Sequence, residues 1–167
     1  MGTLTATYAA NATFTISLAT GPLATSSTLV AGRQSTSIDL SALNYEEVLI
    51  SGKITTGTTP TAGGYIEVWW IPQLTDGNWP DTFGATDANV TVSAREELAS
   101  YGFNLAAIVN SAVANHPYHF TSSLRKATGM ARYSKIGCLW VVHSTNTALN
   151  GTAGNHSIGY MGVTAGY

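Results

Sequence analysis

Two runs of period-2 hydrophobicity, separated by a segment that cannot be helical, constrain this chain more than any other feature: Asn44 to Ile71, NYEEVLISGKITTGTTPTAGGYIEVWWI. In the first run Val48, Ile50 and Ile54 fall on one side and Glu47, Ser51, Lys53 and Thr55 on the other, which predicts a strand with one wet face. The second run sets Ile66, Val68 and Trp70 against Tyr65, Glu67, Trp69 and Ile71. Both of its faces carry apolar mass, so it is expected to be more central, or covered. The connector GTTPTAGG offers glycine for positive φ and Pro60, which lacks a ladder donor. The stretch therefore predicts a hairpin with a long loop, at the centre of a mostly antiparallel β domain.

Charge narrows the function classes. Only 7 Lys+Arg and 9 Asp+Glu occur in 167 residues, a net charge of −2, which gives no global pull toward nucleic acid or a membrane surface. Charged residues make up 10% of the chain, against roughly 25% in ordinary soluble domains. A surface so poorly protected is expected to be occupied in part by protein partners. Cys138 is the single cysteine, which excludes an internal disulfide framework and a cysteine-rich metal site. No apolar run reaches membrane-spanning length, and residues near Met1 lack the basic and apolar regions of a secretory signal, so neither is expected.

The length predicts one domain, residues 26–167, preceded by residues 1–25 as an arm or an edge strand. Thr13 to Leu18 alternates, with Phe14, Ile16 and Leu18 on one face, and Ser27 to Ala31 offers a second short strand. Gly21 and Pro22 separate them and would form the hinge of an arm. Pro72 to Val92 is a long, turn-rich passage. In it Asp76, Asn78, Asp81, Asp87 and Asn89 have the oxygen chemistry that Ca²⁺ needs, without EF-hand spacing, and Asx residues also build turns with no metal. Trp79 is expected to anchor this loop to the body.

Ser93 to Gly102 is the one helix signal, with Ser93 as N-cap, Glu96 in capping-box position and Gly102 as the stop. Leu105 to Val113 is apolar but of undecided type, and His116 to Phe120 opens a strand that ends near Leu124. Leu124 to Lys135 carries Arg125, Lys126, Arg132 and Lys135 with no acid, a basic patch able to meet an acidic protein face or phosphate, or to stand as plain solvated surface; Gly129 argues against one continuous helix. Ile136 to Ser144 reads as the most buried strand, with Cys138 as a packed thiol. Asn150–Gly151 signals a turn before a final strand near His156 to Val163. About eight strands result, which predicts an all-β fold: an antiparallel β-sandwich, jelly-roll-like, with one short helix.

Residues that could carry chemistry are sparse. His116 and His119 fall on opposite faces of a strand and have no third ligand nearby, so no metal site and no cofactor are expected. No GxSxG elbow, HExxH pair or P-loop occurs and no enzyme is predicted; a hydrolase, whose Ser/His/Asp set would have to assemble from distant positions in a buried pocket, stands far behind the other readings. Trp79 with Asp76 and Asp81 is the group that would bind carbohydrate if it stood in an open groove. The sequons at Asn11, Asn89 and Asn150 matter only in a chain secreted by a eukaryotic cell.

Residues 27–74 and 139–163 resemble small structural proteins of tailed bacteriophages. The likeness is carried by AGR at Ala31 to Arg33, SGKITTGTTPTAG at Ser51 to Gly63 and HSTNTALN at His143 to Asn150. The resemblance implies a virion protein: a capsid decoration or cement protein that binds the major capsid protein or other virion proteins as a homo-oligomer. The alternative is a tail- or fibre-associated component, including a carbohydrate-binding sandwich in host adsorption.

Three packing expectations follow. Val48, Ile50, Ile54, Ile66, Val68, Trp70, Cys138, Trp140 and Val142 are expected to share one core between two sheets. Tyr65, Trp69 and Ile71 then point away from it and need cover, from a neighbouring subunit or from the loop of residues 72–92. Phe14, Ile16 and Leu18 would be the anchors of an arm on another chain, or the first strand of the chain's own sandwich.

Overall fold

A computed structural model describes residues 5–43, 45–129 and 135–166. Eleven strands are assigned: β1 (Thr5–Tyr8), β2 (Ala12–Thr13), β3 (Ala31–Gln34), β4 (Ile38–Asp39), β5 (Glu47–Thr55), β6 (Tyr65–Pro72), β7 (Ala88–Thr91), β8 (Phe103–Val109), β9 (Pro117–Ser123), β10 (Ile136–His143) and β11 (Ser157–Gly166). Two single-turn helices, α1 (Leu98–Tyr101) and α2 (Leu124–Ala127), interrupt them. The strands form two antiparallel sheets. The first runs β1-β11-β5-β9, with β2 also on β11; the second runs β7-β3-β10-β6-β8, with β4 also on β10. They pack as an all-β sandwich around Val48 and Ile50 of β5, Val68 and Trp70 of β6, and Leu139 and Val141 of β10.

The central pair of runs does not make a hairpin. β5 lies between β11 and β9 in the first sheet, and β6 lies between β10 and β8 in the second. Residues 56–64 are long enough to cross the roughly 10 Å between packed sheets, and nothing in them enforces a tight turn. A second arch, residues 110–116, carries the chain back from β8 to β9 beside the first. The two arches bond through Asn115 N–H to Gly57 O (2.8 Å), Thr56 N–H to His116 O (3.1 Å) and Gly63 N–H to Asn110 O (3.0 Å). The expected central position of β6 holds.

The expected single core divides in two. In the β10–β6 ladder Leu139 stands opposite Trp70, and Trp140 opposite Trp69. Directly opposed residues share a face, so Leu139 and Val141 enter the inter-sheet core, while Cys138, Trp140 and Val142 join Trp69 and Ile71 on the outer face. There Phe83, Val92 and Leu98 from the following segment cover them. The Phe83 ring stands edge-on to Trp140, with centroids 5.9 Å apart. Each central indole also lies on a glycine: a Cβ at Gly32 would come within 2.6 Å of the Trp140 ring, and one at Gly137 within 2.3 Å of the Trp70 ring.

Local expectations shift in three places. Ser93 caps no helix, because its N–H and Oγ both donate to the Asp81 carboxylate (2.7 and 2.6 Å), and helix is confined to Leu98–Tyr101. The second short strand begins at Ala31, because the Ser26 hydroxyl accepts from Val30 and Ala31 N–H and holds residues 26–29 in a turn. A second short helix, α2, forms where the basic segment starts: the Ser123 hydroxyl accepts from Lys126 N–H, Glu47 accepts from Arg125 N–H, and Gly129 at φ 65° ends it.

Truncating Trp140 to Ala is expected to cost roughly 3–5 kcal/mol through the lost indole and its cavity. Gly32→Ala is expected to cost about 1–3 kcal/mol by overpacking against that same ring. Urea unfolding of both variants checks this; an unchanged midpoint in either would remove the indole-on-glycine contact from the account.

Candidate contact surface

Most residues predicted for an interface are already spent inside the chain. Trp69 is 6% exposed and Ile71 is fully buried, so the cover they require comes from their own following segment and not from a subunit. Glu67, buried beside them, accepts from Trp69 Nε1 (2.8 Å) and from Arg95 Nη2 (2.8 Å), and the Arg95 guanidinium lies 5.0 Å from the Trp69 ring centre. Gln34 pins the same cover from the other end, accepting from Gly84 N–H and donating to Thr86 O. Neither Glu67–Arg95 nor Gln34 was legible from spacing, because each joins positions far apart in the chain.

The N-terminal residues also fold back on their own body. Phe14 and Leu18 are buried in the inter-sheet core and Ile16 packs against it. Phe14 N–H donates to Ile158 O, and its ring sits 5.1 Å from that of Tyr160. Phe14 and Leu18 are therefore anchors within the chain's own sandwich and not on another chain, but the strand expected over residues 13–18 is confined to Ala12–Thr13, and Phe14 to Leu18 follow it as irregular backbone held by side-chain burial. Only β1 stands fully exposed at the sheet margin.

The loop group meant for carbohydrate is dispersed. Asp76 accepts from Asn78 N–H and Nδ2–H, closing its own turn. Asp81, at φ 49°, holds Ser93 and the Tyr101 hydroxyl. Trp79 packs on the outer-face cluster, the anchoring role expected of it. Asp87 holds Arg33 (2.7 Å) and Ser17, and Asn89 also accepts from Arg33, so the five candidate oxygen ligands serve separate turns and pairs.

Of the basic patch, Arg125 and Lys126 are exposed on α2 and Lys135 is exposed just before β10; Arg132 lies outside the described residues. Among the described residues, the ion pairs are Arg33–Asp87 and Arg95–Glu67, which leaves these cations facing solvent.

Two histidines are engaged, His143 fully buried and His156 half-buried. His143 Nε2 donates to Leu23 O (2.9 Å), and its Nδ1 meets the Thr145 hydroxyl (3.0 Å). His156 Nδ1 accepts from Thr55 N–H (3.2 Å), which fixes Nε2 as the donor to Asn150 O (2.7 Å). Burial holds both imidazoles below their ordinary pKa, against the hydrogen bonds that favour the cation. Burial likewise pushes the Cys138 thiol up to about 12, so it is a packed thiol and not a thiolate. His116 and His119 are exposed, with His116 edge-on to Tyr118.

Among the described residues, what stays open is the outer face of the first sheet and one side of the sandwich. On that face Tyr8 stands opposite Val163, Leu49 opposite Met161, and Ser51 opposite Gly159 and Thr121. Its charges are partly committed: Glu47 accepts from Ser123 and Arg125, and Lys53 donates to Gly154 O. A hollow of about 480 Å³ lies on it, lined by Thr13, Ser51, Lys53, His119 and Gly159. On the open side β8 and β9 flank a hollow of about 390 Å³ between Asn104–Leu105 and Thr121–Ser123. Both strands come from residues 98–124, which contain no Asp, Glu, Lys or Arg. That uncharged run was the sequence signal for an unguarded side. Tyr65, predicted as an interface residue, is 44% exposed at the end of the same side.

Two outcomes follow. Arg95→Ala leaves Glu67 buried with only the indole N–H, and is expected to cost up to about 3 kcal/mol, the lower end for breaking a buried pair because Arg95 is partly exposed; an unchanged unfolding midpoint would show that the pair does not hold the cover. The histidines set an acid limit. Their folded pKa values lie below the ordinary 6.5, so their contribution is complete above pH 6.5 and is lost as pH falls toward the folded values. Thermal midpoints should fall between pH 7 and pH 5, less steeply in His143→Gln and His156→Gln, and a flat profile in the unaltered chain would refute this.

Comparison of the chain with protein-family models, with curated proteins and with solved structures found no match to any of them.

Proposed function

We propose that this chain is a structural protein of a tailed-bacteriophage particle, a capsid decoration or cement protein that acts through protein–protein contact and not through catalysis. The resemblance of residues 27–74 and 139–163 motivates the reading. The observation that carries it is the uncovered outer face of the first sheet. The second sheet buries its outer face under residues 74–102, whereas no described element is laid over the first sheet's outer face, where Tyr8 is exposed and Leu49, Met161 and Val163 are half-buried beside a field of Ser and Thr. Such a face, flat and poor in free charge, suits a shell surface better than a soluble ligand. No helix of the described residues is long and apolar enough to cross a membrane.

The carbohydrate-binding alternative calls for an aromatic ring beside Asp or Asn in an open groove. The hollow at the loop end, about 560 Å³, is lined by Asn115, Asn150, Asn155, Thr147 and Thr152 and has no aromatic wall. Its amides are largely committed to one another, with Asn150 Nδ2 donating to Asn115 and Asn155 Nδ2 donating to Asn150. Protein contact is therefore the favoured reading, with homo-oligomerisation and virion location as parts of it.

Localising the chain in a density map of the intact particle tests the proposal. Density for the sandwich is expected on the head, with the first sheet turned toward the shell. Leu49→Glu and Met161→Lys should weaken attachment about tenfold or more, as loss of an interface anchor does. Density on the tail would assign the runner-up position, and absence of the chain from purified particles would overturn the virion reading.

A further inference from the structure

We propose that β8 is a self-association edge, along which two copies of the chain pair antiparallel across a two-fold axis and join their second sheets into one. The four sheet margins are unequal. β1 and β7 are four residues long, and β7 follows Asp87, which is ion-paired to Arg33. β8 and β9 have seven residues each, and β9 begins with Pro117. Short edges, charge and proline are the means by which sheet margins are kept from pairing. β8, FNLAAIV, has none of these.

The backbone defines how a second strand would bond. Asn110 N–H donates to Gly64 O (2.8 Å) and Asn110 O accepts from Gly63 N–H (3.0 Å), so Asn110 and, by alternation, Ile108 turn toward β6. Ala107 and Val109 then direct their N–H and C=O away from β6, and both residues are exposed. With Ile108 on the axis, Ala107 of each copy faces Val109 of the other and exchanges both bonds with it. The side chains suit that register. A small residue opposes a branched one, no charge is buried, and the cross-strand pair Tyr65–Val109, 44% and 59% exposed, gains cover from the second copy together with Val113, 52% exposed. A foreign strand carrying Lys or Glu would bury that charge against Ala107, whereas β8 itself brings none.

The bulge that places Leu105 between the pairs Val68–Ala106 and Trp69–Asn104 bends the strand away beyond Ala106. Pairing is thus confined to the Ala106 to Asn110 end, and the contact is small and reversible, with a dissociation constant on the order of 1–100 µM. The proposal rests on the oligomer named in the preceding reading and not on the particle it belongs to.

Sedimentation equilibrium of the full chain across that concentration range should show the mass rising from 17.4 kDa toward twice that value. Ala107→Lys and Val109→Lys, at exposed positions outside both cores, should keep the circular dichroism of the parent and shift dimerisation about tenfold or more to higher concentration. Hydrogen exchange on the unaltered chain should show the Ala107 and Val109 amides slowing as concentration rises. A mass of 17.4 kDa throughout, or an unchanged constant in both lysine variants, overturns the edge pairing. A monomer that still occupies particles would sink this proposal and the homo-oligomer of the preceding reading while leaving its virion location standing, an oligomer unaffected by both lysine variants would sink the β8 edge alone, and a β8 dimer absent from particles would sink only the virion reading.

Discussion

The ladder between β6 and β10 is the constraint on which the other elements depend. Seven residue pairs, from Gly137–Pro72 to His143–Ile66, set Leu139 and Trp70 to one side and Trp140 and Trp69 to the other. A strand pair that is apolar on both faces cannot lie at a surface, because each large indole left in water would forfeit a few kcal/mol of burial. One face is closed by the first sheet. The other has no second sheet, so residues 74–102 fold over it as an irregular cover, held by Gln34 and by the Glu67–Arg95 pair. Gly32 and Gly137 belong to the same solution, since only a residue without Cβ lets a neighbouring strand approach an indole so closely.

The scarce charges are concentrated where irregular backbone must be fixed. Asp81 gathers Ser93 and Tyr101, Asp87 gathers Arg33 and Ser17, and Glu47 receives Ser123 and the start of α2. Hydrogen bonds and, for Asp87, the neighbouring guanidinium hold the Asp81 and Asp87 carboxyls below their ordinary range despite some burial that opposes this. Each carboxylate thus substitutes for secondary structure by accepting donors that a loop would otherwise leave unpaired.

The sequence by itself determined the β class, the wet and dry faces of β5, the two-sided burial of β6 and β10, the packed state of Cys138 and the absence of one continuous helix through Gly129. These follow from local alternation and glycine chemistry, which act over a few residues. Only tertiary structure decided which strands pair. The runs at 47–55 and 65–72 carry equal signals for a hairpin and for an arch, and the choice fell to partners far away in the chain, β11 and β9 for one run and β10 and β8 for the other. The register of Trp140 opposite Trp69 then sent Cys138, Trp140 and Val142 to the outer face, because a shift of one position exchanges every side chain between faces. The same long-range closure buried Phe14, Leu18, Trp69 and Ile71 inside the chain and left Tyr65 at its open side: period-2 pattern states that a residue needs cover, and only the assembled sheets state what supplies it.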